Sequence, residues 1–294
     1  MEKRKVALVL ASGGAKGFAH IGAIEELERQ GYEITSVAGT SMGALVGGIY
    51  AAGGLERVKQ WMYQLTRRQV FSLTDLTWSA HALMKGDRLM EALQELVPDC
   101  PIESLRIPFC AVATDMKTGS EVVFRQGSLY EAIRASISLP MVFTPVHSGD
   151  QLLVDGGITN GLPLDRVQRT EGDILVAVNL DDYHWEEDEE DDQEPISSKF
   201  RRLARLNPMK KLQAGINALG NNYLSMMYDT MSILMKRNTE MALRLTPPDI
   251  YLNVEMGDYG SYDYDKARQI SRLGTRQMRQ ALHDYEKRKP SANA

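Results

Sequence analysis

Ser41 stands between two glycines in Gly39-Thr40-Ser41-Met42-Gly43, after the apolar run Ile34 to Ala38 and before the small-residue stretch Ala44 to Ala52. A serine at the apex of a strand, sharp turn and helix is a nucleophile elbow, G-x-S-x-G. The glycines answer a steric demand, because such a turn brings backbone segments together where bulkier side chains would clash. The chemistry on offer is nucleophilic. The hydroxyl projects from the sheet edge, and the Met42 N–H at the helix start can face a developing oxyanion. Five residues alone fit close helix–strand packing equally well, so the reading depends on what accompanies them.

Two further clusters do. Val6 to Leu10 reads as a buried strand running into Ser12-Gly13-Gly14-Ala15-Lys16-Gly17 and then a helix over 17–30. A glycine-rich strand-to-helix turn presents backbone N–H groups to an anion. A dinucleotide fingerprint fails because Ser12 occupies its first glycine position, and the next strand ends in Ala38-Gly39 rather than an acid. A phosphate loop fails because no Gly-Lys-Ser/Thr closes the segment. An oxyanion hole needs only backbone donors near the serine, and fits best. The third cluster is Leu152-Leu153-Val154-Asp155-Gly156-Gly157. Asp-Gly is common turn chemistry, but beside the other two pieces Asp155 reads as the base that takes the Ser41 proton. Lys16 reads as a solvent-facing first-turn lysine.

These blocks, with Ala135-Ser136-Ile137-Ser138-Leu139-Pro140, stand in an order and spacing that resembles the bacterial patatin-like phospholipases from about residue 5 to 181. Ala113-Thr114-Asp115, Gly161-Leu162-Pro163 and the tail around Asp258-Tyr259-Gly260-Ser261 are also similar to the family. The sequence departs from it at Ser12, where glycine is usual, and at Thr159-Asn160, where an Asn-Asn pair is. The resemblance implies a Ser–Asp dyad. Ser41 is then the nucleophile that forms an acyl-enzyme and Asp155 the proton acceptor. Gly13, Gly14 and Ala15 supply oxyanion donors, with Met42 as a further one. Gly17, Gly39, Gly43, Gly156 and Gly157 complete the motifs. It implies a hydrolase of lipid acyl esters, phospholipase A or lysophospholipase in type, that needs neither cofactor nor metal. A catalytically silent lipid-binding or regulatory protein of the same fold is the alternative, as is an esterase or thioesterase of soluble substrates.

A Ser-His-Asp triad is the competing chemistry. In an α/β-hydrolase the histidine follows the acid, which leaves His184 and His283, and neither sits in a strand–loop context. His20 reads as a packing residue of the first helix, and His147 lies in a loop.

Composition is that of an ordinary globular protein, with 43% hydrophobic and 25% charged residues. The net charge of −5 argues against a nucleic-acid partner. Lys3-Arg4-Lys5 precedes too short an apolar run for a signal peptide, and that run is needed as the first strand. No stretch approaches the roughly 18 apolar residues of a membrane span. Cys100 and Cys110 form no CxxC, so a reducing, cytoplasmic setting is expected. Peripheral membrane contact and oligomerisation both stay open.

The elements that must position the site alternate. Strands are expected near 6–11, 34–38, 108–114, 120–124, 152–155 and 174–180, with helices near 17–30, 42–53, 55–66, 86–97 and 128–137. This predicts an α/β fold, a three-layer α/β/α sandwich with a largely parallel central sheet. Residues 1–183 form the expected catalytic core, 184–211 an insertion and 212–294 a helical C-terminal part packed on the same domain. A strand is expected over 249–256 and a last helix over 265–287. The insertion has eight acids in the nine residues Glu186 to Glu194, then six basic residues from Lys199 to Lys211. Mutual pairing of these runs is preferred over lipid docking. Residues 67–85 read as irregular, either ordinary packing or a flap over an acyl site. The methionines of 212–245 fit a helix packing on the core.

Overall fold

A computed structural model of the chain describes residues 4–66, 68–70, 85–140, 142–180, 226–227, 230–261 and 263–288. The chain forms two compact units, Met1–Asp182 with Met235–Ala294, and Tyr183–Leu234. The candidate site belongs to the first. The acidic and basic insertion lies outside the described residues, as does the candidate flap apart from 68–70 and 85.

In chain order the first unit runs β1 (Arg4–Leu10), a short 3-10 turn (Gly14–Gly17), α1 (Phe18–Arg29), β2 (Tyr32–Thr40), α2 (Met42–Ala51), α3 (Leu55–Met62) and α4 (Asp87–Leu96). It continues with β3 (Phe109–Asp115), β4 (Ser120–Phe124), α5 (Leu129–Ser136), β5 (Val146–Ser148), β6 (Gln151–Asp155) and the single turn α6 (Gly157–Asn160). β7 (Ile174–Asn179), β8 (Ile250–Asn253) and α7 (Ala267–Arg288) complete it, and residues 235–245 are also helical. Sheet order is β5-β6-β3-β2-β1-β7-β8, with β4 also on β3. β8-β7-β1-β2-β3 pair in parallel. β4 and β6 join β3 antiparallel, and β5 joins β6 in the same sense.

The alternation of β1 explains the layers. Val6, Leu8 and Leu10 point to one face and pack with Ile21 and Ile24 of α1, Leu45 and Ile49 of α2, Ile133 of α5, and Ile270 and Met278 of α7. Ala7, Val9 and Ala11 point to the other face, where Leu162, Leu164 and Val167 cover them with Ala242 and Leu243 of the 235–245 helix. A strand buried on both faces reads as a continuous apolar run. The small residues on the second face admit a closely laid loop and helix.

α1 is tied down because it begins at the glycine turn. Glu26 is buried and accepts from Arg29 Nε at 2.7 Å and from Arg279 Nε of α7 at 3.0 Å. Burial works to raise the Glu26 carboxyl, but Arg29, Arg279 and Gln30 outweigh it and hold it at about 2. α3 stops at Met62, short of the expected 66. The Thr66 N–H donates to Gln69 Oε1 at 3.0 Å, and the Gln69 N–H returns a bond to Thr66 Oγ1 at 3.4 Å. That is the capping-box pattern of a new turn.

Candidate active site

Strand register brings the serine and the aspartate together. Thr40 at the end of β2 pairs with Val112, and Asp155 at the end of β6 pairs with Ala113. β4 takes the opposite edge, pairing Val123 with Val112 and Val122 with Ala113. β2 and β6 therefore share one edge of β3, run toward each other, and meet end to end between Val112 and Ala113. Ser41 is the first residue past that junction.

Ser41 has φ 54° and ψ −122°, and among the described residues no other non-glycine residue has positive φ. A residue with a Cβ in that region is strained, and such strain collects at functional sites. The glycines on either side permit it. A side-chain carbon on Gly39 would lie 2.4 Å from the Gly43 carbonyl, and one on Gly43 would lie 2.2 Å from Leu10 O. Both obstacles are backbone. Gly43→Ala is expected to cost about 2–3 kcal/mol, measured by urea unfolding. A loss within experimental error of zero would contradict the close approach of α2 to the end of β1.

Asp155 is 1% exposed. Its Oδ1 accepts from the Gly157 N–H at 2.7 Å, its N–H donates to Ser138 O at 3.0 Å, and its carbonyl accepts from Thr114 Oγ1 at 3.0 Å. Burial pushes its carboxyl up to about 6, against hydrogen bonding from Ser41 and from Gly157. Opposite pulls of this kind leave a carboxylate that can hold or release a proton near neutrality.

The glycine turn is only partly available. The Ser12 N–H donates to Gly161 O at 3.0 Å and the Ala15 N–H to Ser261 O at 2.9 Å. Ala15 is therefore corrected as an oxyanion donor, since its N–H is spent on the C-terminal segment. Among the described residues, no backbone acceptor takes the N–H of Gly13, Gly14 or Met42. Gly17 leaves room for Met42, whose Cγ would lie 1.9 Å from a carbon placed there, and Gly156 faces Val112 O in the same way at 2.2 Å. The Ser12 hydroxyl lies over Gly157 and Gly161, 3.3 and 3.5 Å from where their side chains would begin.

The histidines fall elsewhere. His20 is fully buried, and its Nε2 donates to Ala11 O at 2.8 Å, binding α1 to the strand that feeds the turn. Burial pulls its imidazole down to about 4, so it is neutral. His147 lies on β5 paired with Leu152, His283 is exposed on α7, and His184 lies outside the described residues.

Several neighbours of the site have no signal in local pattern. The Thr40 hydroxyl donates to Asn160 O at 2.8 Å, and Asn238 Nδ2 donates to Ile158 O at 2.8 Å. Met235 Cε and Asp155 Oδ1 both lie against the open face of Gly157, 2.2 and 3.0 Å from the same point. The methionine-rich composition of 212–245 was the one pointer to that cover. The serines of Ala135-Ser136-Ile137-Ser138 are visible in the sequence as a motif, but their roles are not.

A family model described as patatin-like phospholipase matches residues 8–167, a span that contains every block above. An uncharacterized NTE family protein of Mycobacterium tuberculosis is 44% identical over 176 residues, which cover 60% of this chain and 49% of that protein. A patatin-like phospholipase domain-containing protein of Caenorhabditis elegans is 28% identical over 290 residues, 95% of this chain and 20% of that protein. The chain thus spans about half, or less, of the length of these relatives. VipD from Legionella pneumophila is 15% identical, with a TM-score of 0.48 covering 97% of this chain and 67% of that one.

Proposed function

Because this chain belongs to the patatin-like phospholipase family, we propose that it is a serine acyl hydrolase that cleaves fatty acyl esters of lipids through Ser41 and Asp155. The observation that carries this reading is the buried Asp155 carboxyl, held near 6 beside the strained Ser41. Ser41 Oγ attacks the ester carbonyl carbon as its proton passes to Asp155. The N–H groups of Gly13, Gly14 and Met42 receive the oxyanion. The intermediate collapses to an acyl-enzyme while Asp155 returns the proton to the departing alcohol or lysolipid. Water then attacks the acyl carbon, Asp155 accepts its proton, and the free acid leaves as Ser41 recovers a hydrogen. No described helix is long and apolar enough to cross a membrane.

The base works only when ionised. With Asp155 at about 6, kcat/KM on a medium-chain p-nitrophenyl ester is expected to fall about tenfold per pH unit below 6 and to level off above it. A panel from acetyl to palmitoyl esters tests the substrate class. Preference for medium or long chains supports a lipid substrate, and preference for acetyl would point to soluble esters. No turnover at any length would favour the silent lipid-binding protein.

A further inference from the structure

The junction of β2 and β6 leaves a gap in the sheet's hydrogen bonding. β2 ends opposite Val112 and β6 ends opposite Ala113, so the Val112 carbonyl faces the point where neither strand continues. A side chain fills it. Ser136 is fully buried at the end of α5, and its hydroxyl donates to Val112 O at 2.6 Å and accepts from the Ser41 N–H at 2.8 Å. Two residues on, Ser138 O accepts from the Asp155 N–H at 3.0 Å. One tripeptide thus holds the main chain of both residues of the dyad. We infer that Ser136 is a positioning residue, which holds the Ser41 backbone in its strained conformation and so aims the hydroxyl at Asp155. It acts through Ser41, since it is buried behind the elbow.

The physical case is one of accounting. Buried backbone groups are paired in nearly all structures, and here one hydroxyl pairs two of them, as donor to one and acceptor from the other. Without it, Val112 O and the Ser41 N–H both lose a partner inside the protein. The cheapest relief is for Ser41 to leave positive φ, which swings Oγ away from Asp155. An error near 1 Å in a reacting group can cost about a hundredfold in rate.

The inference rests on the dyad reading for its kinetic part but not for its structural part, and the test separates the two. Ser136→Ala is expected to lower kcat on a p-nitrophenyl ester by about 10- to 100-fold with KM within twofold. Hydrogen exchange at the Ser41 amide, followed by mass spectrometry of the full chain, should speed up by at least tenfold. Ser136→Thr, which keeps the hydroxyl, should recover most of both. Ser36→Ala is the control. It removes another fully buried hydroxyl, one that donates to Gln168 O away from the site, and should leave kcat unchanged. If the parent hydrolyses no ester, the dyad reading fails and exchange alone decides on Ser136. Slow exchange at Ser41 in Ser136→Ala, or a kcat within twofold of the parent, would overturn the inference. So would an equal loss of kcat in Ser36→Ala.

Discussion

Asp155→Asn is expected to lose about a thousandfold or more in kcat and yet to melt at a higher temperature than the parent at pH 8. The two effects have one origin. The carboxyl is raised from 3.8 to about 6, with burial as the leading cause. A folded-state value above the unfolded one means that the native protein binds the proton more tightly. The penalty for ionising Asp155 is therefore present in full above pH 6 and fades as the pH falls toward 4. At 1.36 kcal/mol per unit it is about 3 kcal/mol. Asparagine is neutral at every pH and can still accept from the Gly157 N–H. Its gain should appear as a Tm on the order of 5 °C higher at pH 8 and should nearly vanish at pH 4, by calorimetry at both. A Tm at or below that of the parent at pH 8 would mean that the aspartate is better solvated than its burial implies.

The second large effect is at Ser41. Ser41→Ala and Ser41→Gly both remove the nucleophile, and each should reduce turnover by about 10⁴-fold or more. They should differ in stability. Alanine keeps the Cβ that makes φ 54° unfavourable, whereas glycine occupies positive φ without that cost. Residues held in such regions carry about 1–3 kcal/mol of strain, so Ser41→Gly should be the more stable variant by about 1 kcal/mol in urea unfolding. Equal stabilities would show that the elbow stores no strain.

Much of the fold was legible because its signals are local. Val6 to Leu10 is apolar on both faces and became a central parallel strand. The small residues around Ser41 became a tight turn, and 267–288 became the last helix. Pairing direction was not legible. Gln151 to Asp155 has the same apolar run whether it joins β3 parallel or antiparallel, and only the antiparallel choice brings Asp155 head-on to Ser41. β5 was missed because its three residues are too few for an alternation to register. The Ala15 N–H could not be judged from the turn, because its acceptor Ser261 is brought there by the C-terminal segment. The Ser136 hydroxyl was read only as part of a motif, since the gap it fills exists only once β2 and β6 meet. Met235 reaches Gly157 by a contact far apart in sequence.

The measurement that tests the central claim most directly is covalent labelling with a medium-chain fluorophosphonate, followed by peptide mapping. The account predicts one adduct per chain, on Ser41 in the elbow peptide, formed faster at pH 8 than at pH 5 and at least a hundredfold more slowly in Asp155→Asn. An adduct on another serine, or labelling of Ser41 at the parent rate in Asp155→Asn, would contradict it.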